Sequence, residues 1–201
     1  MKIPRAYFQY GDVVSLARDL IGKSIFTLQD GHLTGGIISE SEAYAGVTDR
    51  ASHAYGGRVT SRTKVMYEEG GISYIYLCYG IHYLFNIVTA EKGIPHAILI
   101  RGIYPTHGIG VIRERRKKVA FDKLGDGPGK VTQCLGLTLK HNGIPLDGDT
   151  VWLEETRSFD PRGLIKEGKR VGIDYAGKDA SLPWRFFLDI KKASQRIETP
   201  G

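Results

Sequence analysis

The chain is poor in cysteine, with Cys78 and Cys134 as its two thiols among 201 residues. Neither belongs to a Cys-x-x-Cys motif or to a cluster of cysteines and histidines, so the ligand spacing of a zinc site is missing. Two isolated cysteines are typical of a protein that stays in a reducing compartment with both thiols free. Cys78 lies among apolar and aromatic residues, which favours a packing role over a nucleophilic one. We expect no metal site and no bound cofactor.

Long apolar runs are also missing. The longest, residues 74–79, is half tyrosine and falls far short of the roughly 20 residues that a membrane helix needs. The N-terminal residues 1–5 lack the apolar centre of a signal peptide. We therefore expect a cytoplasmic protein without a membrane partner.

Length and composition otherwise fit an ordinary globular protein, with 41% hydrophobic and 25% charged residues. This length is enough for one domain with a substantial core, and we expect a single domain over residues 1–201. The 28 lysines and arginines outnumber 22 acidic residues, which gives a formal net charge of +6. A basic surface favours a polyanionic partner such as nucleic acid, although mild basicity alone is a weak signal.

Strand and helix patterns alternate along the chain and predict a mixed α/β (α+β) fold. Residues 12–21 have helical periodicity that stops at Gly22, and Asp30 with Gly31 forms a good tight-turn pair between two strands. We expect a curved, mainly antiparallel β-sheet with flanking helices and a protruding β-hairpin. Strands are predicted at residues 23–28, 33–44, 72–77, 84–89, 97–101, 150–154 and 184–188, the hairpin tip at 78–83, and helices after Pro105 and at 128–135.

Two charged segments stand out between these elements. Residues 45–71 predict an irregular loop that carries Arg58 and Arg62, and loops of this length are often functional. Residues 113–118 form a charged run, for which a solvated helix end is the simplest interpretation.

The candidate chemistry is concentrated in residues 37–101. Glu40, Glu42 and Tyr44 share one face of a predicted strand, because side chains alternate with a period of two. A strand glutamate is exposed by default, but Glu42 has small and aromatic neighbours, and a partly buried glutamate can act as a general base. Glu40 would raise the pKa of Glu42 or form salt bridges. The spacing alone leaves catalysis at Glu42 open.

Aromatic residues in the same stretch have both ordinary and functional interpretations. A lone histidine such as His53 is more often a packing group than a catalyst, and Tyr74 fits a half-exposed position in an ordinary core. Tyr79 differs, because a large ring at a hairpin tip buries nothing in its own domain. Proteins that distort a duplex insert such side chains between bases.

Residues 127–130, Gly-Pro-Gly-Lys, lack the spacing and the hydroxyl residue of a nucleotide-binding loop, so nucleotide hydrolysis is not expected. Pro128 suits the first position of a helix. The start of such a helix can still hold one backbone phosphate.

Taken together, these residues resemble the alkyladenine (3-methyladenine) DNA glycosylase family, the mammalian-type enzymes that also occur in bacteria. The resemblance covers nearly the whole chain in order, although the segment between Asn86 and Arg101 is slightly longer here. The matching residues lie at 40–44, 52–53, 56–58, 62, 66, 74–80, 86–87, 99–101, 127–130 and 170–173.

The resemblance implies a role for each matching position. Glu42 corresponds to the general base that activates water, and Arg101 to the group that holds this water and touches the DNA backbone. Tyr79 corresponds to the side chain inserted into the gap left in the duplex. The flipped base would be held by Tyr44, His53, Tyr76 and Asn86, the last of which crowds the exocyclic amine of guanine. Backbone contacts would come from Arg58, Arg62, Met66 and Lys130.

The implied function is that of a monofunctional DNA glycosylase of base excision repair, acting as a monomer on double-stranded DNA that contains damaged purines. The enzyme would flip an alkylated or deaminated purine and hydrolyse its N-glycosidic bond, leaving an abasic site. An alkylated purine is cationic, so it stacks well on tyrosine and leaves easily, and one carboxylate then suffices. DNA binding would associate the protein with the nucleoid.

Two other classes of function stay open. A non-catalytic nucleic-acid-binding module would not need Glu42 and Arg101 together, and a turnover assay decides this. A hydrolase of small nucleosides would leave Tyr79 and the basic loop without a purpose, and an assay on free nucleosides decides that.

Overall fold

The secondary structure follows the predicted alternation of strands and helices. The computed structural model describes residues 1–117, 119–156 and 159–197. Within them the β-strands are Ser24–Gln29 (β1), His32–Tyr44 (β2), Ile72–Cys78 (β3), His82–Thr89 (β4), His96–His107 (β5), Val151–Glu154 (β6), Ile165–Gly168 (β7) and Arg185–Leu188 (β8). The α-helices are Val13–Asp19 (α1), Ile109–Arg115 (α2), Pro128–Leu135 (α3) and Ile190–Ser194 (α4).

The strands form one curved sheet in the order β3-β4-β5-β2-β1-β6. The pairings between them are antiparallel, which confirms the expected mixed α/β fold. Strand β2 is the axis of the sheet, because it pairs with β5 along most of its length while its other edge pairs first with β1 and then with β8. The second half of β2 is therefore enclosed by strands on both edges.

Local signals fix the helices that flank this sheet. Asp12 caps α1, since its carboxylate accepts hydrogen bonds from the N–H groups of Val14 and Ser15, both at 3.0 Å. Such a cap satisfies N–H groups that have no partner inside the helix. Helix α3 begins at Pro128 and ends at Leu135, and the next residue, Gly136, has a φ of 67° that is suited to a helix C-terminus. Both helices bury apolar side chains against the main core of the sheet.

The predicted irregular loop of residues 45–71 is held by a second apolar cluster. Met66 and Tyr74 are each 2% exposed in this cluster, so Tyr74 is more deeply buried than its strand pattern predicts. The loop contains short 3₁₀ turns at Gly46–Thr48, Tyr55–Gly57 and Lys64–Tyr67. Its own packing thus gives the loop a defined shape beside the end of β2.

A β-bulge interrupts the pairing of β2 with β5 near the middle of both strands. The register places Ser41 opposite Ile100 but Glu40 opposite Gly102, so Arg101 is the extra residue. A bulge redirects side chains locally. Gly102 permits the close approach there, since a Cβ at this position would lie 2.7 Å from Oγ of Ser39.

Some predicted boundaries differ from the observed ones. Strand β5 continues through Pro105 to His107, well beyond the predicted end at residue 101, and α2 follows at Ile109, after Pro105 as predicted. Proline is tolerated because this part of β5 pairs with β2 alone among the strands. Strand β7 and helix α4 are short and were not predicted.

The charged run at residues 113–118 begins inside α2 and is solvated only in part. Arg113, Glu114 and Lys117 are exposed as predicted, whereas Arg115 and Arg116 are half-buried. Arg115 donates to the carbonyl of Cys134 at 2.8 Å, and Arg116 donates to the carbonyl of Leu124 at 3.1 Å. Lys118, at the end of this run, lies outside the described residues. Arg115 and Arg116 therefore connect α2 to α3 and to the segment before it.

No helix among the described residues is long and apolar enough to cross a membrane.

Candidate active site

A cleft of about 730 Å³ opens where the ends of β2, β3, β4 and β5 meet the loop and the start of α3. Its volume lies within the range of small-molecule pockets. It brings together most of the residues that the sequence singled out. Those that line it are Tyr44, His53, Arg62, Met66, Tyr76, Tyr79, Asn86, Arg101 and Lys130.

Glu42 lies behind the wall of this cleft and is 0% exposed. Its Oε2 accepts a hydrogen bond from the Tyr44 hydroxyl at 2.8 Å, and its Oε1 accepts one from the backbone N–H of Val171 at 2.7 Å. Nε of Arg101 lies 3.3 Å from the same Oε1. These three groups border the cleft, so the carboxylate lies directly behind the cleft wall.

Burial raises the pKa of Glu42 above its usual value, and this effect outweighs the opposing influence of Arg101, Val171 N–H and Tyr44. The nearby Glu40 raises that pKa further. Desolvation penalises the charged form of an acid, so Glu42 takes up a proton more readily here than a glutamate exposed to water does. A carboxylate in this state is a stronger base than an exposed glutamate, as general-base catalysis requires.

Arg101 is held beside both acids by the bulge in β5. Its Nε donates to Oε1 of Glu40 at 2.9 Å, and Arg185 donates to the same oxygen at 3.2 Å. Burial lowers the pKa of Arg101, but Glu42 and Glu40 reverse this and raise it overall. Arg101 therefore stays cationic, and Glu40 has the supporting role of an ion-pair partner.

Three aromatic side chains form a connected wall on the loop side of the cleft. Nδ1 of His53 lies 2.7 Å from the Tyr74 hydroxyl, and the rings of His53 and Tyr76 meet at 4.7 Å between centroids and an angle of 74°. Burial and the nearby Arg62 lower the pKa of His53, so its ring is neutral at pH 7. Burial raises the pKa of Tyr76, which stays protonated.

Asn86 lies on the floor of the cleft with 4% of its surface exposed. Its Nδ2 donates to the carbonyl of Tyr74 at 3.1 Å across the β3–β4 pair. This bond fixes the amide, so a molecule in the cleft meets a rigid polar group here.

Tyr79 lies at the tip of the β3–β4 hairpin, as predicted, and is 92% exposed. Its φ is 51° and that of Gly80 is 72°. A positive φ is costly for a bulky residue, and here it occurs in the tight turn that joins β3 to β4. Ile81 beside it is 70% exposed. The fold gains little from either side chain, so both are available to a partner.

The predicted backbone-contacting residues occupy different environments. Arg58 and Arg62 are exposed on the loop, and the guanidinium of Arg62 lies 5.8 Å from the centre of the Tyr76 ring. Lys130 borders the cleft in the first turn of α3. Met66, in contrast, is buried beneath the pocket, which favours contact with a bound base over contact with DNA backbone.

Several residues of the site have no predicted role from the sequence. Val171 contributes through its backbone N–H, which no side-chain pattern reveals. Arg170 and Asp49 form a fully buried ion pair beneath Tyr44, and the sequence places them far apart. Tyr175, 72% exposed on the rim, could have been noticed only as one more tyrosine.

No group of three or more histidine, cysteine, aspartate or glutamate side chains is placed to hold a metal ion anywhere in residues 1–117, 119–156 and 159–197.

A buried carboxylate beside an arginine, behind an aromatic cleft, is suited to a hydrolase of glycosidic bonds. Comparison with known proteins agrees with this class: the family model of methylpurine-DNA glycosylase matches residues 7–192. The chain therefore belongs to the methylpurine-DNA glycosylase family, which confirms the resemblance found in the sequence. It is a DNA glycosylase, a hydrolase of the N-glycosyl bond.

Curated relatives are similar over almost their whole length. A protein of Chlamydia felis is 45% identical over 96% of this chain and 99% of its own. One of Chlamydia abortus is 44% identical over 94% and 99%, and one of Bacillus cereus is 38% identical over 94% and 96%. All three are provisionally named 3-methyladenine DNA glycosylase.

The raised pKa of Glu42 predicts that the variant Glu42→Gln is more stable than the parent protein at neutral pH. The folded state binds this proton more tightly than the unfolded state, so stability is lost as pH rises through the raised pKa. Below the usual value of 4.5 the acid is protonated in both states and the difference should vanish. Melting temperatures at pH 4 and pH 7 test this.

The matched control is Glu40→Gln, which removes the ion-pair partner of Arg101 and Arg185 and should lower the melting temperature at pH 7. A Glu42→Gln variant that melts below the parent at pH 7 would contradict the pKa direction.

Proposed function

We propose that this protein is a monofunctional glycosylase of base excision repair, which flips a damaged purine from duplex DNA and hydrolyses its bond to deoxyribose with water activated by Glu42. The observation that carries the proposal is the buried carboxylate of Glu42, held 3.3 Å from Arg101 directly behind an aromatic cleft. The target bond is hidden inside stacked DNA, so the nucleotide has to leave the helix to reach this cleft.

Glu42 would act as the general base in its deprotonated form. Its carboxylate has no exposure to bulk solvent, so the water that it activates is one that enters beside the flipped nucleotide. Arg101 lies close enough to orient this water and stays cationic throughout. As the bond to the base breaks, the sugar becomes positively charged, and the negative charge of Glu42 stabilises it.

Three of the aromatic rings that line the cleft would select the base. Tyr44, His53 and Tyr76 present ring surfaces that favour flat ligands, and tyrosine rings attract a cationic alkylated purine. Asn86 is fixed on the floor by its bond to Tyr74, so it would crowd the exocyclic amine of an undamaged guanine. Met66 closes the pocket from below.

The rim would bind the DNA around the flipped nucleotide. Arg58, Arg62 and Lys130 would neutralise phosphates, and such contacts provide most of the sequence-independent affinity of DNA-binding proteins. Tyr79, exposed at the hairpin tip, would fill the gap that the flipped nucleotide leaves in the duplex. We expect the protein to bind as a monomer.

The first test is base release from a duplex that carries one hypoxanthine or one ethenoadenine. Glu42→Gln should retain DNA binding but lose about 10²–10⁴-fold in the single-turnover rate, because it removes the general base. The rate of the parent protein should fall with decreasing pH at a higher pH than an exposed glutamate would give, since the pKa of Glu42 is raised.

Glu40→Gln serves as the matched control and should be affected much less. A normal rate for Glu42→Gln would exclude the mechanism, binding without base release would indicate a non-catalytic module, and release from free nucleosides alone would indicate a nucleoside hydrolase.

The second test concerns Tyr79→Ala. The ring is almost fully exposed, so thermal stability should hardly change, whereas affinity for a lesion-containing duplex should fall because extrusion costs a few kcal/mol of lost stacking and pairing. The defect should shrink when the lesion lies in a mismatch. Tyr10, 68% exposed outside the cleft, provides the control Tyr10→Ala, which should leave affinity unchanged. An unfolded Tyr79→Ala would show that the ring is part of the core.

The third test is the salt dependence of binding to undamaged duplex. A log–log plot of affinity against salt should have a slope of roughly −0.9 per phosphate neutralised. Replacing Arg58 and Arg62 together with alanine should make the slope shallower by roughly 1.8, which is two such contacts. Arg162→Ala, an exposed arginine outside the cleft, should leave it unchanged. A flat dependence in the parent protein would contradict a phosphate-binding rim.

A further inference from the structure

A buried ion pair lies beneath the active-site cleft and takes no part in the proposed chemistry. Arg170 and Asp49 have side chains that are 0% exposed, and two hydrogen bonds join them, from Nη1 at 2.5 Å and Nη2 at 2.9 Å. Burying two charges is expensive, and an apolar pair of similar size is often as stable. Stability alone is therefore a weak explanation for this pair.

The pair joins three separate segments of the chain. Arg170 also donates to the carbonyls of Ala43 at 2.8 Å and Asp179 at 3.3 Å. Asp49 in turn accepts hydrogen bonds from the N–H groups of Ala45 at 3.1 Å and Ala51 at 3.0 Å. The end of β2, the loop after it and the segment around residues 170–179 are thus fixed to one another at a single point.

Two proposed active-site groups rest directly on Arg170. Its guanidinium lies over the ring of Tyr44, at 4.8 Å from the centroid, and over that of Trp184, at 5.0 Å. Tyr44 borders the cleft, so the guanidinium supports the ring of a proposed base-binding wall. The next residue in the chain is Val171, whose N–H donates to Glu42 at 2.7 Å.

We propose that Arg170 is a positioning residue that sets the ring of Tyr44 and the N–H group bound to Glu42 at the same time. It couples the base-binding wall to the general base, although it touches neither the substrate nor the water. This inference rests on the proposed roles of Glu42 and Tyr44.

The planar fork of arginine is essential to this arrangement. It binds Asp49 with two nitrogens, reaches two carbonyls and presents flat faces to two rings. Lysine keeps the charge but is a compact ammonium that can neither bind in this bidentate manner nor stack in this way. Arg170→Lys therefore keeps the net charge of the site while it loosens Tyr44 and Val171.

The effect should be visible in the dependence of the single-turnover rate on pH, whose acidic limb is the fall in rate as Glu42 takes up a proton. Facing this carboxylate are Tyr44 and Glu40 on β2, Arg101 on β5, Tyr76 on β3, and Arg185 on β8 through its ion pair with Glu40. All of them remain in Arg170→Lys. The variant weakens two hydrogen bonds to Glu42, from the Val171 N–H group and from the Tyr44 hydroxyl. Both favour the charged carboxylate, so the acidic limb of the rate profile should move to higher pH.

The experiment measures single-turnover base release from a hypoxanthine duplex across pH, together with affinity for that duplex. For Arg170→Lys we expect a rate at neutral pH lower by about 10²-fold, as for a misplacement of about 1 Å, and an acidic limb at higher pH. Affinity for undamaged duplex should stay near that of the parent protein, since Arg170 does not reach the surface.

A matched control separates positioning from simple destabilisation. Arg115, which donates to Cys134 and Thr34 away from the cleft, provides Arg115→Lys; this variant should lose stability without moving the acidic limb. If Arg170→Lys does not fold, Trp184→Leu removes one stacking ring while both charges remain, and it should move the limb in the same direction by less.

An unchanged acidic limb in the folded variant, or a rate that falls only with the folded fraction, overturns the proposal. Failure of the proposed function looks different, because Glu42→Gln would then release bases at a normal rate whatever Arg170→Lys does.

Discussion

The whole site depends on the burial of one carboxylate. Glu42 is removed from water, and a charge in that position has to be compensated by nearby donors and cations. Arg101, the N–H of Val171 and the hydroxyl of Tyr44 supply this compensation from three different parts of the fold. Their compensation is incomplete, which leaves the pKa of Glu42 raised. On the proposed mechanism this residual imbalance strengthens the carboxylate as a base, and it does so at some expense to stability.

The architecture of the sheet explains how these donors reach Glu42. Strand β2 exchanges one neighbour for another along its length, pairing first with β1 and then with β8, while β5 covers its other edge. The bulge opposite Glu40 makes Arg101 the extra residue of β5, and Gly102 permits the close approach. Without the bulge the two strands would still pair, but the side chain of Arg101 would point in a different direction. Irregularity in the sheet is therefore part of the active site.

Sequence patterns predicted the parts of this fold that depend on neighbouring residues. The helix capped by Asp12, the turn at Asp30 and the hairpin tip at Tyr79 all follow from local signals. The common face of Glu40, Glu42 and Tyr44 follows from alternation in a strand, and the contacts of Glu42 with Tyr44 and of both acids with Arg101 agree with it.

Long-range and backbone interactions could not be predicted in this way. Asp49 and Arg170 meet across 121 residues of sequence, and the donor from Val171 is a backbone N–H group.

The aromatic walls of the cleft were predicted as residues, but their protonation states depend on burial, which the sequence does not give. Burial raises the pKa of Tyr44 and Tyr76 and lowers that of His53. At neutral pH the tyrosines therefore keep their protons, and the imidazole of His53 is neutral and only a weak acid. These walls are poor proton donors to a leaving base. On the proposed mechanism, a purine made cationic by alkylation needs no such donor.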